Sequence, residues 1–221
     1  MTLLQNLADP RRSLLQFGQV HDQRTSIFIP FDPDRITGVL QQVILDHYGE
    51  PPRTSDGQTR FLTVLTSRQM GKSLAGEYAA YPKTAYTPGW DHVCLADTEP
   101  RANYLHHRVH QLHARWPEEV RAPTIPNRES RQITFAENIG GKMRTLSAEG
   151  EATGIGQSPD SFHSSECAFQ DDFAGKMFLI NPSLINRDNA IVLFECTPWE
   201  SGSDWHEHCQ EAKRGTGRNA Y

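Results

Sequence analysis

The sequence predicts an α/β domain built on a mainly parallel central sheet flanked by helices. Short apolar, β-branched runs alternate with helical segments, as expected of strands buried on both faces. A Gly-Lys-Ser turn stands between one such strand and the helix after it. With 221 residues the chain is long enough for one sizeable domain with its own core.

Residues 1–30 show weak patterning and read as an N-terminal arm or lid. Asp32 and Pro33 suit a helix start, one as cap and the other as first helical residue. Ile36, Val39, Leu40, Val43 and His47 follow at helical spacing. The polar stretch EPPRTSDGQTR (50–60) is a loop. Phe61 to Thr66 is an apolar strand, and the Gly-Lys-Ser turn leads from it into a helix that Pro82 is expected to end near Tyr81. His92 to Ala96 is a second strand. From Glu99, the residues Ala102, Leu105, Val109, Leu112 and Trp116 line one helix face, which Pro117 closes. Gln132 to Phe135 and Lys142 to Leu146 flank Asn138-Ile139-Gly140-Gly141 as a hairpin. Ser161 to Ser165 and Ile191 to Phe194 are further short strands. The last helix carries Trp205, His208, Cys209 and Ala212 on one face.

Composition excludes several classes. The 27 acidic residues exceed the 22 Lys and Arg, for a net charge of -5, so nucleic acid would have to meet a local patch. Cys94, Cys167, Cys196 and Cys209 form no C-x-x-C pair, which argues against a disulfide scaffold or zinc ribbon. No run reaches the length of a membrane span. At the start, basic residues follow the first apolar stretch, the wrong order for a secretory signal.

The strongest chemical signal is Thr66-Ser67-Arg68-Gln69-Met70-Gly71-Lys72-Ser73, a P-loop between strand and helix. Backbone N–H groups of such a turn, with the helix N-terminus, attract phosphate. Lys72 is placed to reach the β- and γ-phosphates, and Ser73 to ligate Mg²⁺. Thr66 stands where the common pattern has its first glycine. Arg68 lies inside the loop, where an arginine facing the γ-phosphate would stabilise transition-state charge.

These residues carry a family resemblance. Ser67-Arg68-Gln69-Met70-Gly71-Lys72-Ser73 resembles the deviant Walker A motif S-R-Q-x-G-K-[ST] of tailed-bacteriophage large terminases. Ser165-Glu166-Cys167-Ala168-Phe169 resembles their Walker B end, usually D-E-A-x-[FY]. Cys196-Thr197-Pro198-Trp199 resembles their coupling motif, usually S-T-P. The order is right, and the resemblance runs from about Ile29 to Ala212.

The resemblance implies a P-loop NTPase fold of the additional-strand, catalytic-glutamate type over residues 31–221, with ATP and Mg²⁺ as cofactors. It implies an ATP-hydrolysing motor that drives double-stranded viral DNA into the procapsid, in the host cell cytoplasm. The implied partners are the portal protein and the small terminase subunit. The implied assembly is a homo-oligomeric ring on the procapsid, from a chain that is monomeric in isolation. By position, Ser67, Arg68, Gln69, Met70, Gly71, Lys72 and Ser73 form the nucleotide loop. Arg68 becomes an arginine finger acting in its own subunit, Glu166 polarises water, and Thr197 senses the γ-phosphate. A full large terminase also carries a nuclease domain after the motor. This chain ends just past the coupling helix, so the motor alone is expected.

The match has departures. Ser165 replaces the Walker B aspartate, and can serve the metal only through a bound water. Asp160 lies ~16 Å back along the strand at ~3.3 Å per residue, and Asp171 and Asp172 would have to fold back. Weak Mg²⁺ binding and slow turnover are therefore expected. For the adenine pocket, Gln41, Gln42 and Arg35 are alternatives. For an arginine reaching a neighbouring subunit, Arg144 and Arg101 are. Arg11, Arg12, Arg24, Arg53, Arg60, Lys213, Arg214 and Arg218 are the basic residues open to DNA phosphates. His106, His110 and His113 share a helix face, which reads as solvated rather than metal-binding. His206 and His208 diverge on their helix, and His208 with Cys209 should pack inward. Two rival functions stand beside the motor: a helicase-like or repair ATPase, and a nucleotide-binding assembly module with little or no hydrolysis, which Ser165 favours.

Overall fold

The computed structural model describes residues 3–22, 27–30, 39–49, 59–67, 71–126, 131–149, 158–185, 189–198 and 200–214. The chain opens with two short helices, α1 (Leu3–Ala8) and α2 (Pro10–Phe17). Asp9 divides them. Its carboxylate accepts the backbone N–H groups of Arg11 and Arg12 at 3.0 and 3.2 Å, and Pro10 takes the first helical position, where no N–H is needed. β1 (Gln19–Asp22) and β2 (Ile27–Pro30) pair antiparallel as a separate two-stranded sheet. The helix start expected at Asp32 and Pro33 lies outside the described residues. Helix α3 is described over Val39–Gly49, with Ile44, Leu45 and Tyr48 fully buried.

The main sheet has seven strands. In chain order the elements are β3 (Arg60–Leu65), α4 (Lys72–Tyr86), β4 (Asp91–Ala96), α5 (Glu99–Arg115), β5 (Thr124–Ile125), β6 (Gln132–Phe135) and β7 (Lys142–Ser147). They continue with β8 (Ser161–Ser165), a 3₁₀ turn (Cys167–Phe169), α6 (Phe173–Ile185), β9 (Ile191–Cys196) and α7 (Asp204–Arg214). The spatial order is β3-β9-β8-β4-β7-β6-β5. The first five strands are parallel, and β6 and β5 extend the sheet antiparallel. Strand β9 lies between β3, which leads into the Gly-Lys-Ser turn, and β8, which ends just before Glu166, the place of the additional strand in the expected fold type.

Alternation along each strand separates two cores. Ile191 and Leu193 face α4, which also meets α1, α2 and α3. Leu7 and Leu14 are buried in this cluster, so the first two helices of the segment 1–30 are packed. Val192, Phe194 and Cys196 face the other way and pack with Phe162, Phe173, Ile180, Leu184 and Trp205 under α6 and α7.

Helix α4 corrects one expectation. It runs through Pro82 to Tyr86 instead of ending near Tyr81. Proline removes a helical hydrogen bond, at a cost of about 3 kcal/mol in a helix interior. Here Tyr81 and Ala85 are fully buried and Tyr86 nearly so, and that burial outweighs the loss. Gly76 brings the helix close to the sheet: a Cβ there would stand 2.8 Å from both His163 and Leu193. Strand β9 also runs further than the sequence suggests, through Glu195 and Cys196.

Candidate active site

The parallel strands β3, β8 and β9 end together, and Lys72, Ser73, Glu166, Glu195 and Thr197 gather at that end. In open α/β sheets this is the edge where ligands bind. Gly71 precedes α4 with φ 70°, a left-handed conformation that glycine adopts without steric cost. It starts a helix of 15 residues at Lys72, so the first amide groups of α4 open on the site. Arg68, Gln69 and Met70 lie outside the described residues, as does Trp199. Ser67 is exposed just before the loop.

Lys72 is almost fully buried, and its ammonium lies between two carboxylates, 3.3 Å from Glu166 Oε1 and 3.5 Å from Glu195 Oε2. Glu166 follows β8 directly and holds φ 55°, ψ 48°. That left-handed turn is unfavourable for a residue with a Cβ by roughly 1–2 kcal/mol. Arg101, at the start of α5, donates to the same Glu166 Oε1 at 3.1 Å and pairs with Asp97 at 3.0 Å. Arg101 thus serves its own chain's glutamate. The other arginine considered for a neighbouring subunit, Arg144, is buried against Asp91 at 2.9 Å.

Ser73 donates its hydroxyl to Glu195 Oε1 at 2.6 Å, and Ser165 donates to Ser73 Oγ at 3.1 Å. The carboxylates weighed as replacements for the Walker B aspartate are elsewhere. Asp160 accepts the Asp91 N–H at the far end of the sheet. Asp171 and Asp172 are exposed, and Asp172 accepts from Gly175 N. Thr197 is 3 % exposed, and among the described residues its hydroxyl has no hydrogen-bond partner. Gln41 is buried and approaches the loop: a Cβ on Gly71 would lie 3.4 Å from its amide nitrogen.

Behind the site lies a buried charge chain that the sequence reading missed. His163 of β8 contacts Glu77 of α4 at 2.8 Å and Glu195 at 3.5 Å, and His92 contacts Glu77 at 3.2 Å, all at 0 % exposure. Burial alone would lower the His163 pKa. The hydrogen bonds and charges of Glu195 and Glu77 override it and raise the value to about 9, so the ring is a cation at neutral pH. Burial pushes the carboxyls of Glu77 and Glu195 up, yet their histidine contacts hold both below the usual carboxylate range. Glu77, Cys94 and His163 have ligand atoms close enough for a metal ion, and His163 Nδ1 already contacts Glu77 Oε1 at 2.8 Å and Cys94 Sγ at 3.8 Å. The signal in the sequence was the polarity of two buried strands, SFHSS and IVLFEC.

The helix face expected to be solvated is so only in part: His110 is exposed, while His106 and His113 are half-buried and His113 packs against Tyr81 and Phe135. His106 and His110 stack edge to face with ring centroids 4.5 Å apart, and His113 bonds the Tyr81 hydroxyl at 2.9 Å. His208 packs among Phe173, Phe194 and Trp205 and bonds Thr63 at 3.1 Å.

A lysine and serine at a helix start after β3, with a glutamate at the end of β8 and β9 lying between the two strands, are the arrangement of a P-loop fold with an additional strand. Solved structures of phage large terminases share it. The ATPase domain of the Thermus phage P74-26 large terminase matches at TM-score 0.59 and 22% identity, over 79% of this chain and 71% of that one. The bacteriophage HK97 large terminase matches at TM-score 0.64 and 16% identity, over 96% of this chain and 42% of that one. A large terminase from a thermophilic bacteriophage matches at TM-score 0.57 and 14% identity, over 80% and 43%. No protein-family model and no curated protein matches the sequence. The likeness is one of fold. Among the described residues, no helix is long and apolar enough to cross a membrane.

Proposed function

We propose that this chain is the ATP-hydrolysing motor domain of a viral large terminase, driving translocation of double-stranded DNA into the procapsid. The observation that carries the reading is the convergence of Lys72, Ser73 and Glu166 at the ends of parallel strands, with Lys72 Nζ 3.3 Å from Glu166 Oε1. ATP would supply the phosphoryl group and Mg²⁺ would neutralise its oxygens. The residues fit that pair: α4 opens its amide groups on the site, Gly71 carries no Cβ, and the buried Thr197 hydroxyl lacks a partner among the described residues.

Lys72 and the first amides of α4 hold the phosphates, and Ser73 holds the metal. With a phosphate bound, Lys72 would turn to it, and Arg101 would keep the Glu166 carboxylate aimed so that it could orient the attacking water. Thr197, directly after β9, reads the γ-phosphate and passes the change towards α7. Arg68 is the finger that neutralises transition-state charge, and Gln41 contacts the base. Portal protein, small terminase subunit and DNA are the proposed partners of a ring assembled in the host cytoplasm, each inferred from the terminase likeness.

The test is Mg²⁺-dependent ATP hydrolysis, alone and with portal protein and DNA. Glu166→Gln should lower turnover by about 10²–10⁴-fold while nucleotide still binds. Lys72→Ala should lose nucleotide affinity as well, and portal or DNA should stimulate the unaltered protein. One observation favours a second reading, a nucleotide-binding assembly module: Ser165 leaves β8 without a carboxylate. Tight binding that depends on Lys72, with no hydrolysis under any condition, would establish that module and exclude the motor.

A further inference from the structure

The ATPase reading leaves the metal site short of a charge. P-loop enzymes hold Mg²⁺ with the loop Ser or Thr and with a carboxylate from the Walker B strand, and Ser165 supplies none. Mg²⁺ takes hard oxygen ligands, typically one or two carboxylates beside the phosphates and water.

The sheet places a carboxylate at the same level on the next strand. In the parallel register of β8 and β9, Ser165 stands opposite Glu195. Adjacent strands lie about 4.8 Å apart, and glutamate is one methylene longer than the aspartate that is missing. Glu195 spends that reach towards the P-loop, where its Oε1 accepts the Ser73 hydroxyl at 2.6 Å and its Oε2 lies 3.5 Å from Lys72 Nζ. Ser165, small and neutral, donates to Ser73 beside it at 3.1 Å. A second carboxylate at 165 would face Glu195 across the register at 0 % exposure for both positions, where like charges repel strongly. Serine at 165 and glutamate at 195 are therefore one arrangement.

We propose that Glu195 is the metal-site carboxylate of this protein, moved from the Walker B strand to the strand beside it. This rests on the reading of the site as one for Mg²⁺-nucleotide. Ser73 and Glu195 together take the cation, and Ser165 orders water around it. His163 and Lys72 flank Glu195 and hold its carboxylate in place. A purely structural Glu195, present only to neutralise His163 and Lys72, makes a different prediction for metal binding.

The experiment is a Mn²⁺ titration followed by electron paramagnetic resonance on the full chain loaded with a slowly hydrolysed ATP analogue. Analogue affinity in EDTA is measured alongside. Glu195→Gln should weaken Mn²⁺ at least tenfold and leave metal-free analogue affinity within about twofold. Ser165→Asp in the Glu195→Gln background should recover most of the loss, because it restores one carboxylate at the same level. Ser165→Asp alone should not tighten Mn²⁺. Glu195→Asp keeps the charge and shortens the reach, so it should fall between the wild type and Glu195→Gln, and it serves if the amide variant does not fold. Unchanged Mn²⁺ affinity in Glu195→Gln, no recovery in the double variant, or tighter Mn²⁺ in Ser165→Asp alone overturns the proposal while nucleotide binding stands. Failure of the wild type to bind the analogue at all overturns the ATPase reading itself.

Discussion

Two residues at the site hold left-handed backbone conformations, and only Glu166 needs its neighbours to stabilise one. Glu166 sits at φ 55° with a full side chain, and its carboxylate is fixed by Lys72 and Arg101. The turn after β8 thus points the glutamate back at the P-loop instead of onward to solvent. Gly71 sits at φ 70°. Alanine there would carry the left-handed penalty, and its Cβ would press on the Gln41 amide at 3.4 Å. Gly71→Ala should lower unfolding stability by about 1–2 kcal/mol, read as a lower urea midpoint at constant slope. Lys72, Ser73 and Glu166 were legible from sequence because motif order survives without coordinates. Glu195 was not. It lies two residues from Thr197 in the chain, and its meaning comes from Ser165 on a strand 30 positions earlier.

At the scale of the element, α4 and β8 depend on each other. Gly76 allows the close approach, and Glu77 then meets His163 and His92 inside the sheet face. Removing one member of a buried ion pair leaves the other unpaired, at about 3–5 kcal/mol. His163→Leu takes a partner from both carboxylates, leaving Glu77 with His92 and Glu195 with Lys72 and Ser73, and should cost up to that much. A cycle with Glu77→Gln and His163→Gln should show coupling of about 0.5–3 kcal/mol. Additive losses would mean that the two groups stand independently. This chain of charges explains why β8 reads as a poor strand: its α4-facing residues Ser161, His163 and Ser165 are polar because they bond each other's neighbours, not water. The same packing carries α4 past Pro82, which local rules treat as a stop.

Across the whole molecule, one buried and two half-buried imidazoles of opposite behaviour set a stability optimum. Burial lowers His208 and His113 from an ordinary 6.5 to about 4. Their neutral forms support the fold above pH 6.5, and that support is lost as pH falls from there towards 4. His163 is raised to about 9. Its contribution is complete below 6.5 and is lost as pH rises through 9. Melting temperature should therefore peak near pH 6.5 and fall on both sides. His208→Leu should flatten the acid limb and leave the alkaline one, which a melting series from pH 4 to 9 would show.

Strand and helix identities over most of the sheet follow from local periodicity and punctuation. The apolar runs of β3, β4 and β9, the Gly-Gly hairpin and the amphipathic α5 are each set by residues within one turn or one pleat. The motif residues belong to the same local level. The order of the strands does not: β9, last in the chain, lies between β3 and β8, with its far face packed against α6 and α7. That insertion sets Glu195 beside Ser165, while the pairing of β4 with β8 sets Arg101 near Glu166 and the packing of α4 on the sheet sets Gly76 over His163. Contacts between residues 30 to 122 positions apart depend on loop closure and burial that no local pattern encodes. Motifs alone therefore marked Lys72, Ser73 and Glu166, and did not mark Glu195, which the sheet register brings beside them.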